Sequence, residues 1–181
     1  MIKHKLTSFN EIVEDTLISI ANRMLIAART APKGRGVDNI HAAIALGDTL
    51  MQIASHMQLM GERDNQQFYI RDANCVRKSP VMVLIGTSIK PLGLSICGLC
   101  GFGNCDGKLA HPHTPCVFNT HDLGIALGSA VSVAADCRVD NRIMFSAGMA
   151  VRELNLLGDN VAVIFAIPLS AAGKNPFFDR A

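Results

Sequence analysis

The chain has 181 residues, 49% of them apolar and 18% charged, with a net charge of +2. That length and apolar content can bury a core without covalent staples, and they exclude a disordered chain. Lys and Arg number 11 in residues 1–90 and 6 in residues 91–181, against 8 and 7 acidic residues. No basic tract exists for a nucleic acid or an anionic membrane surface, and one Tyr with no Trp offers little for base stacking. The N-terminus lacks an apolar signal region, and the longest weakly polar stretch, 123–135, falls short of the roughly 20 residues a spanning helix needs. The expectation is a cytoplasmic protein without membrane or nucleic-acid partners. It reads as a single domain over 1–181 that carries a Cys-, Gly- and Pro-rich loop insert at 86–121.

Taken in chain order, residues 9–29 predict an amphipathic helix. Ser8 and Glu11 form a capping box, and Val13, Leu17, Ile20, Ala21, Met24 and Ala28 recur at helical spacing. Pro32 and Lys33-Gly34-Arg35-Gly36 break it. A second helix is expected from about Val37 to Met60, and Phe68-Tyr69-Ile70 reads as an edge strand. Val81–Ile85 is a short apolar run of the kind found in strands buried on both faces. Gly86 to Cys116 is loop chemistry. Asp122 to Cys137 is a helix apolar nearly all round, with Gly124 and Gly128 leaving a flat stripe suited to close approach of a partner subunit. A polar turn at Arg138–Arg142, a helix over Ile143–Leu156 and a strand over Val161–Ile167 stopped by Pro168 complete the order. Phe177 and Phe178 then need something to dock on. Long helices with few strands indicate an α+β layer fold.

Six cysteines in a reducing compartment call for a chemical role. Four of them follow Cys-x2-Cys-x4-Cys-x10-Cys spacing: Cys97, Cys100, Cys105 and Cys116. Thiolates are soft donors that select iron–sulfur clusters, zinc or cuprous copper. Paired Cys-x2-4-Cys turns, usual in structural zinc sites, are not repeated here, and the intervening glycines let backbone approach a bulky cluster. A 4Fe-4S cluster is the leading expectation, with zinc or unligated thiols as alternatives. His111 or His113 would replace a thiolate in a zinc site. Cys75 and Cys137 read as ordinary core or surface thiols. Gly-x-Ser-x-Gly, His-Glu-x-x-His and phosphate-loop motifs are absent.

The Cys-Gly-x-Cys-Gly-x-x-x-Cys segment resembles four-iron segments of corrinoid iron–sulfur proteins and of some electron-transport subunits. Over nearly the whole chain, several runs are similar to an uncharacterised prokaryotic family described as containing a ferredoxin domain. They are Ala31–Asn39, Asp72-Ala73-Asn74, Val76–Pro80, Asp122–Val131, Val139–Arg142, Ile167–Ser170 and Gly173-Lys174-Asn175 with Phe178-Asp179-Arg180. The resemblance implies an iron–sulfur site on Cys97, Cys100, Cys105 and Cys116, and no particular reaction.

Ala27-Ala28-Arg29-Thr30-Ala31-Pro32 at a helix end, and a late apolar helix leading to a strand at Pro168, resemble flavin-dependent nitroreductases. That likeness implies nitroreductase-like helices on a small mixed β-sheet, in a homodimer with FMN at the subunit interface. The nitroreductases' N-terminal Arg-x-Ser-x-Arg motif is missing here. For FMN, Lys33, Arg35, Lys174 and Arg180 are the candidate phosphate contacts, and Asn39 and Asn141 the candidate ring contacts. The functional expectation is an electron-transfer protein with a redox partner protein, or a flavin-coupled iron–sulfur oxidoreductase. The alternative is a zinc-stabilised binding or regulatory module without redox activity.

Overall fold

The structure, a computed structural model, describes residues 6–178. Helix α1 (Phe9–Thr30) begins where the capping box places it, with the Ser8 amide donating to Glu11 Oε2 at 2.6 Å. Its buried stripe is Leu17, Ile20, Ala21, Met24 and Ala28. The next segment departs from expectation. Ile40–Leu46 is strand β1, and only Gly47–Arg63 is helical, as α2. All seven residues of β1 pair with a later strand, from Ile40 opposite Thr87 to Leu46 opposite Val81. This long-range ladder outweighs the local helix preference of an Ala-containing segment. Gly47, at φ +50°, turns the chain directly from strand into helix. Phe68-Tyr69-Ile70 is likewise corrected from edge strand to the start of α3 (Gln67–Arg77). Tyr69 is buried there beside Phe68, ring centroids 4.4 Å apart, on the core that α2 and α3 share.

Strand β2 (Val81–Ser88) alternates between two cores, as its apolar run predicts. Met82 and Leu84 face α2, α3 and a later helix, α6 (Phe145–Glu153), whereas Val81, Val83 and Ile85 face α1 and α5 (Val117–Asp136). Strands β3 (Asp140–Asn141) and β4 (Val161–Ser170) complete a sheet of order β1-β2-β4-β3. Helices therefore cover both faces of the sheet.

Every pairing among the described strands is antiparallel, which corrects the expected mixed sheet. The α2–α3 pair returns the chain to the sheet end where β1 finished, so β2 has to run back alongside β1. Nor does β4 stop at Pro168. That residue lies opposite Met82, between the two places where the other side of β4 is paired, Asn141 with Leu169 and Met144 with Ala166. A residue without an N–H is tolerated in that gap.

Helix α6 is shorter than expected and rides directly on β4. A Cβ on Gly148 would lie 1.9 Å from the Ile164 carbonyl oxygen. The tail aromatics divide: Phe177 is buried in the core of its own chain, whereas Phe178 stays 58% exposed beneath the Arg142 guanidinium. A buried carboxylate, Asp72, accepts from Ser146 Oγ at 2.6 Å and pairs with Arg71 and Arg142, and Arg142 also donates to the Phe177 carbonyl. No helix among the described residues is long and apolar enough to cross a membrane.

Candidate metal centre in the cysteine loop

The cysteine segment leaves β2 at Ser88 and runs to the start of α5, with one short helix inside it. Its root is held by Asn119, which is buried. Asn119 Oδ1 accepts from the amides of Lys90 and Cys116 at 3.1 and 3.2 Å, while Nδ2 donates to the Lys90 carbonyl at 3.0 Å. One side chain thus ties the outgoing strand to the cysteine at the N-cap of α5. The sequence does carry this signal, an amide side chain three residues after a helix start. It is missed when the helix is begun at Asp122 instead of Val117.

Between these anchors the loop is a chain of tight turns. Gly93, Gly98, Gly101 and Gly103 all have positive φ. A Cβ on Gly98 would stand 2.7 Å from the Gly103 carbonyl, and one on Gly107 2.3 Å from that of Phe102, so backbone packs on backbone. The Gly101 amide donates to the Gly98 carbonyl at 2.8 Å, and Asn104 Oδ1 accepts from the Gly107 amide at 2.8 Å. Asn104 caps a short helix, α4 (Cys105–Leu109). The compact 98–107 coil contains Cys100 and Cys105 and follows Cys97 directly.

Cys97, Cys100 and Cys105 are half-exposed and Cys116 is buried. No three His, Cys, Asp or Glu side chains among the described residues converge on one metal-sized point. The donor set nevertheless fits a thiolate-held group: four soft donors lie in one glycine-shaped loop whose root is pinned. His111 stacks on Phe102, centroids 4.6 Å apart, and His113 is exposed.

Cys75 and Cys137 lie outside this loop. Burial pushes the Cys75 thiol above its ordinary range, with the nearby Asp72 carboxylate adding to the effect, and Cys75 Sγ donates to the Pro176 carbonyl. Cys137 is half-exposed beside Arg23, 3.7 Å away.

The residues expected around a flavin fall into two groups. Lys33, Arg35 and Asn39 lie near the end of the sheet where β2 leaves for the cysteine loop. The Gly34 amide donates to both oxygens of buried Asp122, at 3.2 and 3.1 Å. Arg35 donates to the carbonyls of Leu92 and Gly93, so this loop and the root of the cysteine loop share one surface. The Asn39 carbonyl accepts from the Ser88 amide. Lys33 is already engaged within its own chain: its Nζ donates to the carbonyls of Ala28, Arg29 and Ala31 at 3.0, 2.6 and 2.8 Å, closing the C-terminus of α1.

Asn141 and Lys174 belong to the opposite end of the sheet. Asn141 pairs with Leu169, which lies opposite Val81, and its Nδ2 donates to the Val139 carbonyl. Lys174 follows β4 on the exposed segment beyond Ser170. Arg180 lies outside the described residues. The length of β2 alone puts roughly 20 Å between the two groups, so one chain does not bring them together.

The profile of a family described as "Uncharacterized protein containing a ferredoxin domain" matches residues 113–180. A protein of Archaeoglobus fulgidus, itself described only as uncharacterized, is 42% identical over 166 residues, covering 87% of this chain and 88% of that one. The chain belongs to this ferredoxin-domain family. The profile match begins after Cys97, Cys100 and Cys105 and includes Cys116.

Among solved structures, the family member is similar to a putative nitroreductase in complex with FMN from Desulfovibrio desulfuricans. The TM-score is 0.58 at 14% identity, covering 99% of this chain and 83% of that one. It is also similar to a nitroreductase with bound FMN from Desulfitobacterium hafniense, with a TM-score of 0.58 at 16% identity over 95% and 82% of the two chains. The fold is α+β and nitroreductase-like, as the sequence resemblance implies.

Proposed function

We propose that this ferredoxin-domain protein is a redox protein that holds a 4Fe-4S cluster on Cys97, Cys100, Cys105 and Cys116. One observation carries the reading: four thiols fall within a single glycine-turned loop anchored by Asn119 at Lys90 and Cys116. Such a cluster supplies one-electron transfer when bound. The chain's own part is to hold the donors, to shape the backbone around them and to set the local charge. Zinc on the same thiolates would instead make the loop a structural module of a binding or regulatory protein.

The test is metal and sulfide analysis with an absorption spectrum on protein purified without oxygen. Iron and sulfide with a broad brown absorption support the redox reading. A colourless protein with stoichiometric zinc sinks it in favour of the binding module.

A flavin-coupled oxidoreductase is the more specific form of this proposal. Two nitroreductase-fold neighbours are described as FMN-bound, and here the Lys33–Gly36 loop touches the root of the cysteine loop through Arg35. Because the flavin candidates lie at opposite ends of the sheet, a flavin meeting both groups needs two copies of the chain. The exposed face of α5 suits such a homodimer, since nothing lies within 4 Å of a Cβ built on Gly124 or Gly128. Phe177 is not part of that surface, being buried in its own chain. Gly128→Leu is expected to leave the far-ultraviolet circular dichroism unchanged and to convert a dimer into a monomer by light scattering. A wild-type monomer at high concentration would refute the dimer. Reconstitution with FMN, read by flavin fluorescence quenching, tests the flavin separately.

A further inference from the structure

Lys108 is the only Lys or Arg among the described residues that is buried, at 2% exposure. It sits on α4 between Cys105 and Cys116. Its Nζ makes one hydrogen bond, to the His111 carbonyl at 3.2 Å, and it has no carboxylate partner among the described residues. The two buried carboxylates among the described residues are satisfied elsewhere: Asp72 by Arg71, Arg142 and Ser146, and Asp122 by the Gly34 amide with His121 beside it. Asp106, on the same short helix, is exposed. An ammonium taken out of water is strongly unfavourable unless an anion faces it, and a single carbonyl supplies only part of that compensation.

We infer that Lys108 is the built-in counter-charge of the group held by Cys97, Cys100, Cys105 and Cys116. The inference rests on the proposed thiolate site and adds a role for a residue that is not itself a ligand. Four thiolates around an iron–sulfur cluster or a zinc ion leave a net negative charge in the loop, and Lys108 is the one buried Lys or Arg among the described residues available to balance it. With a cluster bound, an electron delivered by an external low-potential reductant adds further negative charge and breaks no bond. A fixed cation nearby stabilises that reduced state, so Lys108 raises the reduction potential and acts as a positioning and tuning residue.

The experiment compares full-length wild type, Lys108→Met and Lys108→Arg, all prepared without oxygen. Thermal unfolding is followed in the loaded protein and after chelation of its metal. Met is close in length and apolar, so it removes the charge while filling the space. The expected result is a reversal of sign. Lys108→Met lowers the melting temperature of the loaded protein, but leaves unchanged or raises that of the metal-free protein, where the buried ammonium has no partner. Lys108→Arg behaves as wild type when loaded. In a dithionite titration of the iron-loaded proteins, Lys108→Met is expected to shift the one-electron equilibrium about tenfold toward the oxidised form, a fall of about 59 mV.

Lys108→Met that destabilises both forms, or fails to fold in either, assigns the residue a purely structural role and overturns the inference. So does a loaded Lys108→Met with wild-type stability and potential. In both cases metal bound by the wild type leaves the thiolate reading intact. Wild type holding neither iron nor zinc removes that reading and the inference with it. If zinc is the occupant, the stability reversal alone decides.

Discussion

Asn119 satisfies both backbone groups of Lys90, accepting from its amide at 3.1 Å and donating to its carbonyl at 3.0 Å, across 29 residues of sequence. The same oxygen accepts from the Cys116 amide at 3.2 Å. Truncation therefore removes the partner of three backbone groups, the buried Cys116 amide and the part-buried amide and carbonyl of Lys90. Asn119→Ala is expected to lose about 2 kcal/mol in chemical denaturation, and to speed hydrogen exchange at the Lys90 and Cys116 amides. Unchanged exchange there would show that the loop root does not depend on this clamp.

Glycine substitutions separate packed from open helix faces. At Gly148 an added Cβ meets the Ile164 carbonyl oxygen at 1.9 Å, so α6 has to move off β4. Gly148→Ala is expected to cost about 3 kcal/mol. Gly124→Ala meets nothing within 4 Å and gains helix propensity, stabilising the isolated chain by about 1 kcal/mol. Urea denaturation at low protein concentration checks both. A stabilised Gly148→Ala would contradict the packing of α6 on the sheet.

The pH dependence of stability has an identifiable contribution at the α2–α6 contact. Hydrogen bonding from Arg63 lowers the Glu153 carboxyl below its ordinary range; partial burial opposes the shift, and a further hydrogen bond to His56 reinforces it. A carboxylate lowered in the folded state contributes its full stabilisation above the unfolded value, and loses it as pH falls through the folded one. The difference in melting temperature between wild type and Glu153→Gln is expected to be largest near neutrality and to narrow as pH falls below the ordinary glutamate range. A gap that stays constant or widens as pH falls from neutrality into the acid range would mean that this carboxylate does not contribute through its charge.

Thiol reactivity should sort the cysteines of the metal-free protein. Burial raises the Cys75 thiol, the Asp72 carboxylate raises it further, and Cys75 Sγ is already engaged with the Pro176 carbonyl. Alkylation at pH 8 followed by mass spectrometry is expected to modify Cys97, Cys100, Cys105 and Cys137 at least roughly tenfold faster than Cys75. Cys75 reacting as fast as these would mean that the tail carrying Pro176 opens freely.

Features specified by neighbouring residues were legible in the sequence. The Ser8–Glu11 box begins α1 and its apolar spacing marks the buried stripe, because both act within a few residues. The apolar runs at Val81 and Val161 identify central strands, since a strand covered on both faces needs apolar residues at every step. The cysteine spacing defines a four-thiolate donor set, because the chemistry resides in the residue types themselves.

What the tertiary structure alone decided depends on partners far along the chain. Ile40–Leu46 is a strand because β2 lies beside it with unpaired backbone groups, which no local pattern reveals. Lys33 closes a helix and Arg35 meets the Leu92 and Gly93 carbonyls, whereas the sequence shows only cations near glycine. The separation of these residues from Asn141 and Lys174 is a matter of strand direction, which follows from the return of α2 and α3 to the same end of the sheet. The burial of Lys108 also emerges only in the folded chain, because solvation is a property of what surrounds a charge and not of its place in the sequence.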